Sequence, residues 1–303
     1  MSLTAAVGLM ILSTFGFAGG AVFQHMSIRA EQRPGKEQAL TLRQLGGQLR
    51  EPQWLLGLLL IILGAALHVA ALFLAPVTVV QPIGILAVPW SVLLASKIHG
   101  YRASRSVWLA VSVTVAGIVS FTVLSTRFSH EERASIDLPL VLIAVVLGCM
   151  IGAGLFTISR GASVAFRSLA LAAGGAVLFG LTSALLKSLF VWLKVGESLL
   201  SPAAGFLCLG GIATCVVGGW MIQQAYAVGH PEVVVGALTT VDPVVAVVYG
   251  LVVLDEGMRI NAPVVVAMLA CGAVAALGVA GLARYHPEAR QRASLAGAKC
   301  GRG

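Results

Sequence analysis

The stretch Phe73-Leu-Ala-Pro-Val-Thr-Val-Val-Gln-Pro-Ile-Gly-Ile-Leu-Ala-Val88 is almost wholly apolar, yet it carries Pro76, Pro82 and Gln81. A proline lacks the amide hydrogen that a helix interior needs, so Pro76 favours the start of a new helix over continuation of the old one. Further along the chain the pattern returns. Pro231-Glu-Val-Val-Val echoes Pro76-Val-Thr-Val-Val at an offset of 155 residues, and Pro243 answers Pro89 within a residue or two. Upstream, Ala18-Gly-Gly-Ala-Val-Phe is echoed by Ala173-Gly-Gly-Ala-Val-Leu at the same offset. Each Pro-bearing segment leads into an apolar run, a short polar turn (Lys97 to Arg105; Asp255 to Arg259) and another apolar run with a central glycine. One shared offset for several patterns argues for a duplication rather than for the general likeness of Gly- and Pro-rich membrane helices.

Composition fixes the environment of that duplication. Of 303 residues, 58% are hydrophobic and only 11% charged, against roughly 45–50% and about 25% in soluble domains. So few polar residues cannot cover a water-soluble globule of this size. A cytosolic enzyme, a secreted disulfide scaffold and a disordered chain are excluded, and a polytopic membrane protein is expected. Four of the five cysteines (Cys149, Cys208, Cys215 and Cys271, but not Cys300) lie in apolar runs without metal-ligand spacing and read as small apolar residues. The N-terminal apolar run lacks a basic leader and reads as a retained helix.

A helix needs about 20 apolar residues to cross a bilayer. The sequence offers nine such runs: 5–26, 54–74, 77–98, 107–124, 138–158, 168–193, 203–228, 232–254 and 262–282. Spans one to four then repeat as six to nine, with span five as connector. A repeat displaced by five spans is inserted upside down, the arrangement in which alternating-access transporters bind substrate near the midplane. The expected fold is therefore an all-α polytopic membrane protein with an inverted-topology repeat. Its parts are a first repeat over 1–127 with a cytoplasmic loop at 28–53, a connector span within 128–167, a second repeat over 168–284, and a polar, disordered tail over 285–303. The loop at 28–53 has some helical periodicity and reads either as amphipathic on the membrane surface or as solvated linker.

The net charge of +8 would raise nucleic acid as a partner in a soluble protein. Here fifteen of the twenty basic residues fall in the loops after spans one, three, five and seven and in the tail, and four on the opposite side. The positive-inside rule then sets the N-terminus outside and the C-terminus in the cytoplasm of a cell-membrane protein, and no nucleic acid is needed to explain the charge.

The run Trp54…Gly57…Gly64, followed by Phe73–Val88, resembles the membrane-embedded core of the drug/metabolite transporter superfamily, with its EamA-like members. Within it the chain is most similar to the NIPA-type branch of magnesium-transporter-like proteins, which has a similar Phe-Ala-Pro-Ala-x-x-Val-x-Pro-x-Gly-Ala-x-x-Val stretch. The resemblance implies nine spans with the N-terminus outside, and transport as the activity. Gln224, Tyr226 and Ala227 sit where the superfamily has similar small and polar residues. One departure bears on cargo: where the NIPA pattern has Gly-Glu followed by Asn-Phe in its second span, this chain reads Gly64-Ala65-Ala66-Leu67-His68. An acid useful to a cation is absent there.

Ionisable groups near a bilayer centre cost roughly 2.5–3.5 kcal/mol on insertion scales and need a partner, water or a substrate. Asp242, midway along span eight and followed by Pro243, is the first candidate for a substrate-binding carboxylate. A structural Asp, bonded to a hydroxyl or paired with Lys187, is the other reading. Gln81 before Pro82, His68 in the outer half of span two, and Gln224 beside Gln223 supply further polar groups. Convergence of Gln81, Asp242 and His68 on one cavity is the structural expectation, with Pro82, Pro89 and Pro243 breaking their helices. Lys187, in the outer third of span six, reads as a residue snorkelling to the interface, with a substrate contact, or a gate or proton relay, as the other readings. Glu232, at the start of span eight, reads as a helix-terminal carboxylate or as a gate or proton relay.

The glycine pairs Gly16–Gly20 and Gly148–Gly152 suit close helix packing, with a homodimer contact as the second use. No nucleotide-binding loop, cofactor motif, His-Glu-x-x-His or Gly-x-Ser-x-Gly occurs in the sequence, so neither a cofactor nor an enzyme is expected. The function expected is a secondary transporter for a small polar or amphipathic solute. The alternative is a magnesium or divalent-cation transporter, with Asp242 as the metal ligand. A membrane enzyme and a non-transporting scaffold are the minor alternatives.

Overall fold

The computed structural model describes residues 3–31, 46–98, 104–128, 136–161, 163–228, 231–256 and 261–285. Among these residues the protein is helical, with no strand. The helices are α1 (Leu3–Glu31), α2 (Pro52–Leu74), α3 (Val77–Ile83), α4 (Ala87–Ile98), α5 (Arg105–Phe128), α6 (Leu138–Ser159), α7 (Val164–Lys194), α8 (Pro202–Val228), α9 (Pro231–Val252) and α10 (Ala262–Tyr285). A 3-10 turn, Gly84–Leu86, joins α3 to α4. Among the described residues seven helices or helix pairs are long and apolar enough to cross a membrane, α3–α4 counting as one. In α9 and α10 the apolar runs are shorter, Gly236–Val252 and Ala262–Gly278. The loop expected to run amphipathic over 28–53 falls largely, and the tail from 286 wholly, outside the described residues.

Lipid tails are as apolar as leucine, so packing between such helices rests on close backbone approach rather than on hydrophobic burial. The chain supplies that approach twice in the same form. A methyl placed on Gly20 of α1 would lie 2.7 Å from the Gly57 carbonyl oxygen of α2, and one placed on Gly175 of α7 would lie 2.9 Å from the Gly218 carbonyl oxygen of α8. Both pairs of helices cross where no side chain fits. The two Gly-x-x-x-Gly faces are likewise used inside the chain: Gly16 meets Gly64 of α2, while Gly148 and Gly152 receive Leu181 and Leu178 of α7. By contrast α6 turns Leu142, Ile143, Val146, Leu147, Met150 and Ile151 outward, as a helix in contact with lipid should.

The two ends of the bundle are packed differently. At the end that carries Pro76, one cluster unites α1, α2, α3, α6, α7, α8 and α9, with Met10, Leu72, Val77, Leu185, Leu207 and Tyr249 at its centre. At the end that carries Pro231, two clusters stay within their own halves of the chain: Val88, Val92, Val107 and Val111 in the first, and Leu171, Met221, Ile222 and Val234 in the second. There α5 and α10 join the halves closely, a methyl on Gly278 lying 2.9 Å from the Ala110 carbonyl oxygen, whereas α1 and α2 touch α8 lightly. Trp54 packs on Ala227, and Gln223 Nε2 donates to Gln24 Oε1 at 3.4 Å.

Candidate functional site

The prolines behave differently in the two echoed spans. In the first half the helix breaks at Gly84–Leu86, between Pro82 and Pro89. Pro82 has no N–H to give the carbonyl of Thr78 four residues earlier, and the Ser125 hydroxyl of α5 donates to that carbonyl instead, at 2.8 Å. In the second half α9 runs through Pro243 from Pro231 to Val252. The break expected at Pro243 is therefore corrected: the proline forgoes one hydrogen bond inside a continuous helix, which neighbouring turns can absorb.

The junction between α2 and α3 is held by two buried charges. α2 ends at Leu74 and Pro76 adopts an extended turn (φ −57°, ψ 149°), so carbonyls at the end of α2 and amides at the start of α3 need partners. Lys187 Nζ of α7 donates to the carbonyls of Leu72 at 3.1 Å and Ala75 at 2.9 Å. The amides of Val77 and Thr78 donate to Glu256 Oε1 and Oε2, each at 2.9 Å. A cation at a helix C-terminus and an anion at a helix N-terminus both complement the helix dipole. Lys187 is 0% exposed and Glu256 1%, so Lys187 does not snorkel: four backbone groups and the opposite charge take the place of water. Burial pushes the Glu256 carboxyl above the usual carboxylate range, and the Thr78 and Val77 amides and the Lys187 charge pull it back down.

Glu256 reaches this position by a sharp turn after α9. Asp255 takes a left-handed conformation (φ 59°), and the Glu256 amide returns to the Gly250 carbonyl at 3.0 Å. Asp is among the residues that tolerate this region. The carboxylate then lies over Gly250, where a methyl would sit 2.7 Å from Oε2. Nearby, the Ser188 and Tyr249 hydroxyls share a hydrogen bond at 2.7 Å between α7 and α9.

Toward the middle of the bundle lie buried polar atoms with no hydrogen-bond partner among the described residues. They include Gln81 Nε2, Asp242 Oδ1 and His68 Nε2, three of the four residues expected to bind substrate. Gln81 is on α3 and Asp242 on α9, and these two elements pack against each other. Gly180 of α7 gives Asp242 its place: a methyl there would lie 2.8 Å from the Asp242 carbonyl oxygen. His68 instead turns its ring to Phe17 of α1, edge to face with centroids 6.1 Å apart. Gln224 is buried on α8. The Glu232 side chain lies outside the described residues. Among the described residues no group of three or more His, Cys, Asp or Glu is placed to hold a metal ion. A carboxylate oxygen that accepts and an amide nitrogen that donates suit a polar solute, or a cation that keeps its water shell.

Sequence reasoning passed over Glu256, Ser125 and Gln24. Glu256 looked like part of a polar turn, because the groups it binds are 178 and 179 residues away. Ser125 had a readable signal in Pro82, whose missing donor demands a substitute for Thr78, but nothing local identifies the donor.

Comparison with known proteins gives the site a family setting. Residues 3–151 match the family described as Magnesium transporter NIPA. An uncharacterised protein of Corynebacterium glutamicum is 25% identical over 260 residues, covering 84% of this chain and 86% of that protein. A protein of Arabidopsis thaliana named as probable magnesium transporter NIPA9 is 28% identical over 227 residues, 71% of this chain. The match covers 63% of the Arabidopsis protein, so under two thirds of its length. No solved structure matches the chain. These matches support a NIPA-type relationship and a multi-pass membrane transporter.

Proposed function

We propose that the chain is a secondary transporter that moves its cargo by alternating access past Gln81 and Asp242, with His68 and Gln224 as further contacts. The observation that carries this is the set of buried, unpartnered polar atoms on Gln81, Asp242 and His68. Orphaned polar groups in an apolar interior are costly, and a polar cargo would repay them. The paired Gly20–Gly57 and Gly175–Gly218 crossings support reading 1–127 and 168–284 as inverted repeats of four spans each, joined by α6. Nine spans, with α9 and α10 counted, then set the N-terminus outside and the tail in the cytoplasm, as the basic loops favour. The Pro76 end is the outer one on this reading, with Lys187 at its gate. Glu232 stands at the cytoplasmic end as gate or proton relay.

Magnesium is the cargo that the family match and the Arabidopsis relative favour. Mg²⁺ sheds its water reluctantly and is held through one or two carboxylates, which Asp242 supplies in part. The second reading, a small polar or amphipathic solute, is favoured by the absence of a three-ligand cluster among the described residues. Titration of the purified chain with Mg²⁺ in a calorimeter separates them. Saturable heat that disappears in Asp242→Asn makes magnesium the cargo. No heat from a folded, monodisperse sample removes magnesium and leaves the organic solute.

A further inference from the structure

Three helix starts in this protein are capped by a side chain close by in the sequence. Asp137 Oδ1 accepts from the Leu140 amide at the start of α6, Ser201 Oγ from the Ala204 amide at the start of α8, and Asn261 Oδ1 from the Val264 amide at the start of α10. Each cap lies three residues before the amide it serves. The α2–α3 junction is different. Both of its charged partners, Lys187 and Glu256, come from the second half of the chain, while Leu72, Ala75, Val77 and Thr78 belong to the first. A junction that only needed capping could have been served by a neighbouring Ser, Asp or Asn. Here the capping groups also tie the two halves together, at the end where their shared core lies. Directional bonds of this kind are lost together once the halves separate.

We propose that Lys187 and Glu256 form a releasable latch that holds the protein closed at the Pro76 end and must let go before cargo reaches Gln81 and Asp242 from that side. The latch rests on the transporter reading above and adds to it a residue pair that positions the gate without touching cargo. Its chemistry is specific. The amides of Val77 and Thr78 bond to separate oxygens of Glu256, so the side chain must offer two acceptors. A glutamine offers one acceptor and sets an NH2 against the other amide. Glu256→Gln therefore opens one side of the latch with almost no change in shape. Lys187→Arg keeps the charge and the donors.

The test places one reporter cysteine, Gln81→Cys, in a chain whose five native cysteines are replaced by alanine. The chain is reconstituted in vesicles of known orientation and exposed to a membrane-impermeant thiol reagent from the Pro76 side. Labelling is expected to be slow with Lys187 and Glu256 intact and with Lys187→Arg. It is expected to rise tenfold or more with Glu256→Gln, and equally with the double variant Lys187→Met/Glu256→Gln, which leaves no unpaired charge should the single variant not fold. An unchanged rate in either folded variant overturns the latch. Failure of both to fold, while Gly250→Ala folds, makes the pair a static staple and overturns it as well. The assay needs no cargo: latch-dependent labelling in a chain that carries nothing would sink the transporter reading alone.

Discussion

The two ends of the helix bundle are built from the same kinds of residue and held by different physics. At the Pro76 end, one core drawn from both halves surrounds a buried lysine and a buried glutamate that grip four backbone groups. At the Pro231 end, each half keeps its own cluster, and the halves meet along the close α5–α10 crossing, where Gly278 lies against Ala110 and Thr114, through Trp54 on Ala227, and through one long amide–amide bond, Gln223 to Gln24. The difference teaches which end opens at lower cost. Parting α1 and α2 from α8 at the Pro231 end strips the Trp54–Ala227 contact and one neutral hydrogen bond. Separation at the Pro76 end strands two charges in an apolar setting, so that end is closed in this structure by the larger energy.

Substitutions grade that contrast. Lys187→Met leaves Glu256 buried without its opposite charge, and breaking one side of a buried charge pair costs about 3–5 kcal/mol. A large drop in the melting temperature of the purified protein in detergent is expected, and Lys187→Met/Glu256→Gln should recover much of it. Gly250→Ala drives a methyl against Glu256 Oε2. Overpacking of this kind costs about 1–3 kcal/mol, so a smaller loss at the same end should appear in the same melts. Ser125→Ala removes the donor to the Thr78 carbonyl, at a cost of about 1–3 kcal/mol if the carbonyl stays dry. It should stand near the Gly250→Ala value, and a null effect would show that water enters the Pro82 kink. Gln223→Leu, at the opposite end, removes an interhelical bond of a type worth about 0.6 kcal/mol in membrane proteins. A shift at Gln223 as large as that at Lys187 would erase the difference between the ends.

Much of the architecture was legible in the sequence, because the bilayer allows few solutions. Apolar runs of spanning length with Pro at their starts placed α2, α3–α4, α6 and α8 within a few residues. The paired glycines pointed to close crossings, since only a residue without a side chain lets two backbones approach so nearly. The prolines were less readable. Pro82 and Pro243 look alike in sequence, yet one adjoins a broken helix and the other lies in a continuous one. What a proline does depends on whether another span can serve the groups it leaves, as Ser125 serves Thr78. Lys187 was legible as an unusual charge but not by its partners, which are 112 and 115 residues away in the chain. At the site, Gln81 and Asp242 stood out because polar groups in apolar runs need a reason. That His68 faces Phe17 depends on how α1 and α2 cross, and residue type alone does not set that.

The most direct test of the transport account is flux. Vesicles holding a magnesium-sensitive dye, with the purified chain in their membranes, should fill at a rate set by external Mg²⁺. The rate should fall to that of empty vesicles with Asp242→Asn and fall markedly with Gln81→Leu. Full magnesium flux in a folded Asp242→Asn protein would contradict the account, because cargo would then cross without meeting the buried carboxylate.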